Sequence, residues 1–255
     1  MRKRTMSRII SNLILICAIG VFLFSGYKLY GIFSEYKKGS SEYDALREQV
    51  IVQEIPKVEE GFQKEATFNV DFETLQGINK DVVGWIRFDE PVNISYPVVK
   101  GIDNEKYLHT TFEGKRNSAG TLFVDYHNSE DFEDKNTFIY GHNMKNGTMF
   151  GMLKKYKNES FCRENPYFYI YTPDKKICTY QIFSVSVVDD ASEIYKRVFS
   201  GEEEFLQYIE MARKSALYQV DVAVGADSQI VSLSTCTNVN ENERLLVQGV
   251  KVKEE

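Results

Sequence analysis

Of 255 residues only four are cysteine, three histidine, five proline and one tryptophan. So few cysteines exclude a scaffold stapled by several disulfides. No Cys-x-x-Cys or His-x-x-x-His spacing occurs, which argues against a structural zinc site and leaves no metal or cofactor implied. Scarce proline and the lack of any low-complexity run exclude long disordered tracts. There is no internal repeat. Nor is there a basic excess where one would matter. Beyond the first 30 residues the chain carries 26 Lys and Arg against 37 Asp and Glu, a net −11. Nucleic acid, which needs clustered cations, is therefore not an expected partner.

What is present begins with core-forming capacity. Hydrophobic residues make up 43% of the chain, including 17 Phe and 16 Tyr. The first 30 residues carry Arg2, Lys3, Arg4, Arg8 and Lys28 and no acid. Ile9 to Tyr27 contains no charge, and nineteen residues at ~1.5 Å rise nearly span the ~30 Å hydrocarbon layer. The basic residues before it predict a cytoplasmic N-terminus, with everything after Lys28 outside the cell membrane. A cleaved signal peptide is the competing reading, but Phe24-Ser25-Gly26-Tyr27-Lys28 is a poor cleavage site. The expected organisation is a cytoplasmic tail and anchor over 1–28, a helical stalk over 29–66, and an extracellular domain over 67–255.

Within the stalk, Tyr30, Phe33, Tyr43, Leu46, Val50 and Ile51 recur at loosely helical spacing until Pro56 ends the pattern. Such a helix either packs on the domain or merely holds it above the membrane. Beyond Thr67 short alternating segments predominate. Strands are expected at Val82–Phe88, Tyr96–Val99, Gly120–Val124, Asn136–Tyr140, Tyr167–Tyr171 and Ile177–Val188, with two more at the C-terminal end. Many short strands predict a mainly β fold, a sandwich or closed barrel, with peripheral helices. One helix is signalled by a Ser200/Glu203 capping box and by Phe205, Tyr208, Ile209, Ala212 and Ala216 on one face. A second is expected over Met149–Tyr156.

The chemistry concentrates near the C-terminus. Ile230 to Cys236 reads as a strand, followed by a polar loop and a further strand opening at Arg244. Alternation sets Val231, Leu233 and Thr235 on a core face and Ser232, Ser234 and Cys236 on the other, with the thiol at the sheet's rim. Of the other cysteines, Cys17 lies inside the apolar span. A hairpin at Pro173-Asp174 would place Cys178 opposite Tyr171, away from Cys162. Cys236 is thus the candidate reactive thiol. A thiol of pKa ~8.5 needs a base or a nearby cation to become a nucleophile. His142 and His127 each follow an apolar strand, and His109 lies in a polar stretch typical of a solvated surface residue. Spacing alone leaves the partner open among the three. Gly141 would permit the backbone angles that present His142 at a strand corner. Arginine offers a fork of donors suited to a developing oxyanion. Cysteine, histidine and arginine together describe acyl transfer through a thioester. A cation held by Asp125, His127 and Asp131 is a rival use of part of this set.

These segments resemble a sortase of the class B branch. Leu233-Ser234-Thr235-Cys236 is similar to the family's nucleophile strand, and Arg244 opens the next strand. Asn136 to Met144 resembles the strand leading to the family's histidine. Asn146 to Gly151 and the Ser200–Leu217 helix are similar to class B features, and the likeness spans about residues 70–252. It implies an eight-stranded β-barrel without a cofactor. By position it implies Cys236 as nucleophile, His142 as general acid/base and Arg244 as the residue orienting substrate and stabilising the oxyanion. Ser234 and Thr235 are implied substrate contacts. The implied reaction cuts a sorting signal such as Leu-Pro-x-Thr-Gly or Asn-Pro-x-Thr-Asn on a secreted protein after its threonine. A peptidoglycan-precursor amine then resolves the thioester at the outer membrane face of a Gram-positive cell. A plain extracellular cysteine hydrolase and a non-enzymatic tethered binding domain are the competing classes. An amine acceptor separates transfer from hydrolysis, and an inert Cys236 would favour the binding domain.

Overall fold

A computed structural model describes residues 2–54 and 67–255. Pro56 and the far end of the expected stalk lie outside the described residues, as do the side chains of Arg2 to Arg8. The N-terminal apolar run is part of one helix, α1 (Arg2–Val50), which continues unbroken into the expected stalk as far as Val50; Ile51, expected on the same helical face, already belongs to a strand. Its part from Asn12 onward is long and apolar enough to cross a membrane, and the apolar window is fully exposed.

The lower end of α1 packs on the domain. Tyr43, Leu46 and Val50 are buried in the main core. The Tyr43 hydroxyl donates to the Gly120 carbonyl (2.5 Å) and accepts from Phe112 N–H. Asn117 Nδ2 donates to the Glu35 carbonyl, and Arg47 to that of Ser95. Of the two roles open to the stalk, docking is the one observed. Strands β1 (Ile51–Glu54) and β2 (Thr67–Val70) then form a small antiparallel ribbon. The short helix α2 (Phe72–Ile78) follows, capped by Asp71 accepting from Thr74 N–H.

Eight strands close into a barrel: β3 (Val82–Arg87), β4 (Ser95–Val99), β5 (Leu122–Val124), β6 (Asn136–Tyr140), β7 (Tyr167–Tyr171), β8 (Ile177–Asp189), β9 (Ile230–Cys236) and β10 (Glu243–Glu254). The closed order is β10-β8-β7-β3-β4-β5-β6-β9. Closure removes the unpaired edges an open sheet would expose. Two pairings, β4 with β5 and β6 with β9, are parallel. Long connections supply the crossovers that parallel neighbours require. The strands expected from the sequence are all present. Cys178 faces Ile170 rather than Tyr171, one residue from the expected register, and all four cysteines are free thiols.

Two apolar clusters flank the barrel wall. The larger includes Trp85, Ile86, Val98, Leu122, Ile139, Ile170, Val231, Leu233 and Val247. The second lies between the outer face of β6, β9 and β10 and the helix α4 (Glu202–Ser215), which contributes Phe205, Tyr208, Ile209 and Ala212. This explains why β9 is buried on both faces. Its serine face is covered by α4, and burying hydroxyls there requires partners. Ser232 donates to Asn136 Oδ1, Gln248 donates to Ser232 and to the Tyr208 hydroxyl, and Asn136 donates to Tyr208 as well.

The helix expectations need two corrections. No Ser200/Glu203 capping box forms. Gly201 is the N-cap, and Ser200 instead gives both its N–H and its hydroxyl to Glu204. Met149–Tyr156 is not an α-helix. Gly147 and Met149 have positive φ (84° and 53°), which breaks helical propagation. What remains is a 3-10 turn over Leu153–Lys157, with the short helix α3 (Glu159–Glu164) after it.

Candidate active site

Strand register carries three of the chosen residues to one place. In the parallel β6–β9 pair Tyr140 lies opposite Ser234, so His142 and Cys236 sit two residues further along adjacent strands. In the antiparallel β9–β10 pair Arg244 lies directly opposite Cys236. The side chains of such a pair share one face of the sheet. Cys236, half-buried, is thus flanked by a histidine segment on one side and an arginine on the other. The flanks are tied together: Asn143 Nδ2 donates to the Cys236 carbonyl (2.8 Å), and Asn238 Nδ2 to the Asn143 carbonyl (2.9 Å).

His142 is held from three sides. Its Nε2 lies 2.7 Å from the Leu108 carbonyl, and Phe150 N–H donates to the His142 carbonyl (3.0 Å). A carbonyl only accepts, so Nε2 carries the proton and Nδ1 is the free lone pair. Burial favours the neutral ring and outweighs the Leu108 carbonyl, and the charge of His109 pushes the same way. His142 therefore titrates below the ordinary imidazole value. The His109 ring stacks at 6.0 Å from it. Gly141 matters here for space rather than for unusual backbone angles. A Cβ there would lie 2.3 Å from Leu122 Cδ2 and 2.7 Å from Phe150 Cδ2.

The Arg244 guanidinium bonds the Asp190 carboxylate (Nη2–Oδ2 2.7 Å) and the carbonyls of Glu241 and Glu243. These contacts use three of the five N–H donors an arginine carries. Beside it, Tyr195 and Ser234 share a hydroxyl–hydroxyl hydrogen bond of 2.9 Å. Burial pushes the Tyr195 phenol up to about 12, so it remains a neutral donor or acceptor. Ser234 is on the Cys236 face. Thr235 points the other way; its hydroxyl is enclosed without a partner, and its backbone pairs with Leu245 of β10.

His127 is exposed and turned towards Asp125 (Nδ1–Oδ1 3.0 Å). The cation reading of Asp125, His127 and Asp131 fails on geometry. Asp125 is engaged by Arg197, Tyr140 and Asn104, while Asp131 accepts from Ser129 and Glu133 N–H. Among the described residues no group of three His, Cys, Asp or Glu converges to hold a metal. Sequence reasoning gave no role to Leu108, Asp190, Tyr195 and Arg197, which meet the site only through folding. Asn143 lay within the histidine segment without a role of its own, and Asp125 was expected to hold a cation, whereas it anchors Tyr140 and Arg197.

A closed eight-stranded barrel with a thiol at its rim, flanked by imidazole and guanidinium, is the frame of a cysteine transpeptidase. A sortase domain model matches residues 90–252. Sortase B of Listeria monocytogenes is 33% identical over 242 residues, covering 91% of this chain and 92% of its own. Sortase B of Bacillus anthracis, in complex with AAEK1, superposes with a TM-score of 0.73 at 31% identity, covering 87% of this chain and all of that one. A Staphylococcus aureus sortase B–substrate complex matches with a TM-score of 0.66 at 29% identity, covering 71% of this chain and 84% of that one. The chain belongs to the sortase family, whose members are cysteine transpeptidases acting on sorting-signal substrates and amine nucleophiles.

Proposed function

We propose that this sortase cleaves a sorting signal of the Asn-Pro-x-Thr-Asn or Leu-Pro-x-Thr-Gly kind after its threonine. It then transfers the acyl group to an amine of a peptidoglycan precursor. The observation that carries the reading is the register that sets Arg244 opposite Cys236 and His142 on the adjoining strand end.

Cys236 Sγ attacks the threonine carbonyl as its proton passes to a base. His142 Nδ1 is the nitrogen free for that work, because Nε2 is occupied by Leu108. Charge developing on the carbonyl oxygen is met by the Arg244 guanidinium, which keeps two N–H donors beyond those given to Asp190, Glu241 and Glu243. Collapse of the tetrahedral intermediate breaks the C–N bond, and His142 protonates the departing amine. The thioester is resolved when an incoming amine attacks, gives its proton to His142 and expels the thiolate. Ser234 contributes a hydroxyl beside the thiol as a substrate contact, and Thr235, paired with Leu245, holds the strand that carries both. Residues 1–28 serve as cytoplasmic tail and membrane anchor, 29–66 as the support, helical as far as Val50, and 67–255 as the catalytic domain outside the cell. A secreted signal-bearing protein and a membrane-linked amine meet such a domain in one compartment.

The test uses purified full-length protein, fluorogenic peptides containing Asn-Pro-Gln-Thr-Asn or Leu-Pro-Gln-Thr-Gly, and triglycine, with products read by mass spectrometry. An amide product with triglycine and a trapped acyl-enzyme at Cys236 are expected, both lost in Cys236→Ala. Only free acid in the presence of amine would demote the protein to a hydrolase. Full activity in Cys236→Ala would end the assignment.

A further inference from the structure

The connection between β8 and α4 runs as a strap across the outer face of four consecutive strands. Asp190 meets Arg244 on β10 (2.7 Å). Tyr195 meets Ser234 on β9 and stacks on Phe138 of β6 (ring centroids 5.3 Å). Arg197 Nη1 reaches Asp125 Oδ2, just beyond β5 (3.1 Å). The strap thus borders the Cys236 rim along the whole row β10-β9-β6-β5, with an ion pair at each end.

The Asp125 end is the more elaborate. Its carboxylate is 1% exposed and is spent on partners within the protein rather than on a cation. Oδ1 accepts from the His127 backbone N–H (3.0 Å) and faces His127 Nδ1. Oδ2 collects Asn104 Nδ2 (3.1 Å), the Tyr140 hydroxyl (2.9 Å) and Arg197. Tyr140 is the β6 residue directly opposite Ser234, two positions before His142. One buried carboxylate therefore fixes the floor of the rim through Tyr140 and its wall through Arg197.

Fold stability does not explain this arrangement. A buried ion pair is at best a weak source of net stability, since desolvation opposes its Coulomb gain. The strap has its own anchors on the α4 side: Ile194 is buried, the Lys196 carbonyl accepts from Asn136, and Phe199 packs on Phe205 and Tyr208. Val198, next to Arg197, is 78% exposed, so no apolar burial holds the strap at its β5 end. The guanidinium does.

We propose that Asp125 is a positioning residue for transfer, clamping the strap through Arg197 so that the wall and floor beside Cys236 keep the spacing that admits the peptide substrate. This rests on the reading of the Cys236 rim as the active site. It concerns peptide binding, not the reactivity of the thiol.

Full-length protein is assayed with the fluorogenic Asn-Pro-Gln-Thr-Asn peptide and triglycine. Arg197→Met and Asp125→Asn should each raise KM for the peptide by about tenfold, and the double variant should be no worse than the worse single one. KM for triglycine and the rate of Cys236 alkylation by iodoacetamide should stay within twofold of the parent. Arg197→Lys, which keeps the charge, should recover part of the loss. If Asp125→Asn does not fold, the two Arg197 variants decide the matter alone. A folded Arg197→Met protein with unchanged peptide KM overturns the clamp, as does a fall in kcat or alkylation rate with KM unmoved. A parent protein that turns over no peptide, or a fully active Cys236→Ala, sinks the active-site assignment instead.

Discussion

At the scale of single residues, the environment of His142 makes a signed statement about pH. Its titration lies below 6.5 in the folded chain, chiefly through burial, with His109 adding to the shift. The unfolded chain takes up the proton near the ordinary value, so it binds more protons over the interval between the two. This residue's contribution to stability is complete above pH 6.5 and is drained as pH falls from there to the native midpoint. Long-range nitrogen–proton NMR of labelled protein should give that midpoint below 6.5 and a neutral Nε2–H tautomer at pH 8. His109→Ala should move the midpoint upward, because it removes a like charge. A midpoint at or above 6.5 in the parent would contradict the burial argument. The choice among His142, His127 and His109 was not legible from spacing, since all three adjoin strands or turns. The parallel β6–β9 register separates them, and that pairing joins segments 94 residues apart.

Among the elements, the β6 corner shows how a local signal can be right for the wrong reason. Gly141 was expected to supply backbone freedom, yet the space for a side chain is what is missing. A Cβ would enter the positions of Leu122 and Phe150, both fully buried. Overpacking of this kind costs about 1–3 kcal/mol. Gly141→Ala should therefore lower the urea midpoint by a corresponding amount and slow transfer, because the shift moves His142 relative to Cys236. An unchanged midpoint would show that Leu122 and Phe150 yield freely. Strands such as β9 were legible because their alternation is strong, with Val231 and Leu233 inward and Ser232 and Ser234 outward. The burial of the serine face was not, since it depends on α4, which follows the strap over residues 190–201. The expected 149–156 helix failed for a related reason. Its apolar residues fit a helical period, but the chain there folds back to place Phe150 N–H on the His142 carbonyl.

For the molecule as a whole, the unbroken α1 joins two regions that composition alone separates into anchor and stalk. Apolar sequence ends near Tyr27, and Glu35 already contacts the domain through Ser118 N–H and, by its carbonyl, Asn117. The eight helical steps from Tyr27 to Glu35 measure ~12 Å. A helix docked at its lower end and anchored at its upper end fixes both the height and the tilt of the barrel, whereas a flexible tether would fix neither. If the acceptor amine is membrane-linked, that geometry raises its effective concentration at the Cys236 rim. Inserting six Gly and Ser residues after Ile32 should leave transfer to soluble triglycine unchanged. In the same vesicles, transfer to lipid-linked triglycine should fall several-fold, because a flexible joint spreads the domain over many heights and orientations. Measuring both acceptors in one preparation makes their ratio independent of the amount of active enzyme. An unchanged ratio would mean that the helix between Tyr27 and Glu35 serves only as a tether, and that docking through Tyr43 and Glu35 stabilises the domain without orienting it.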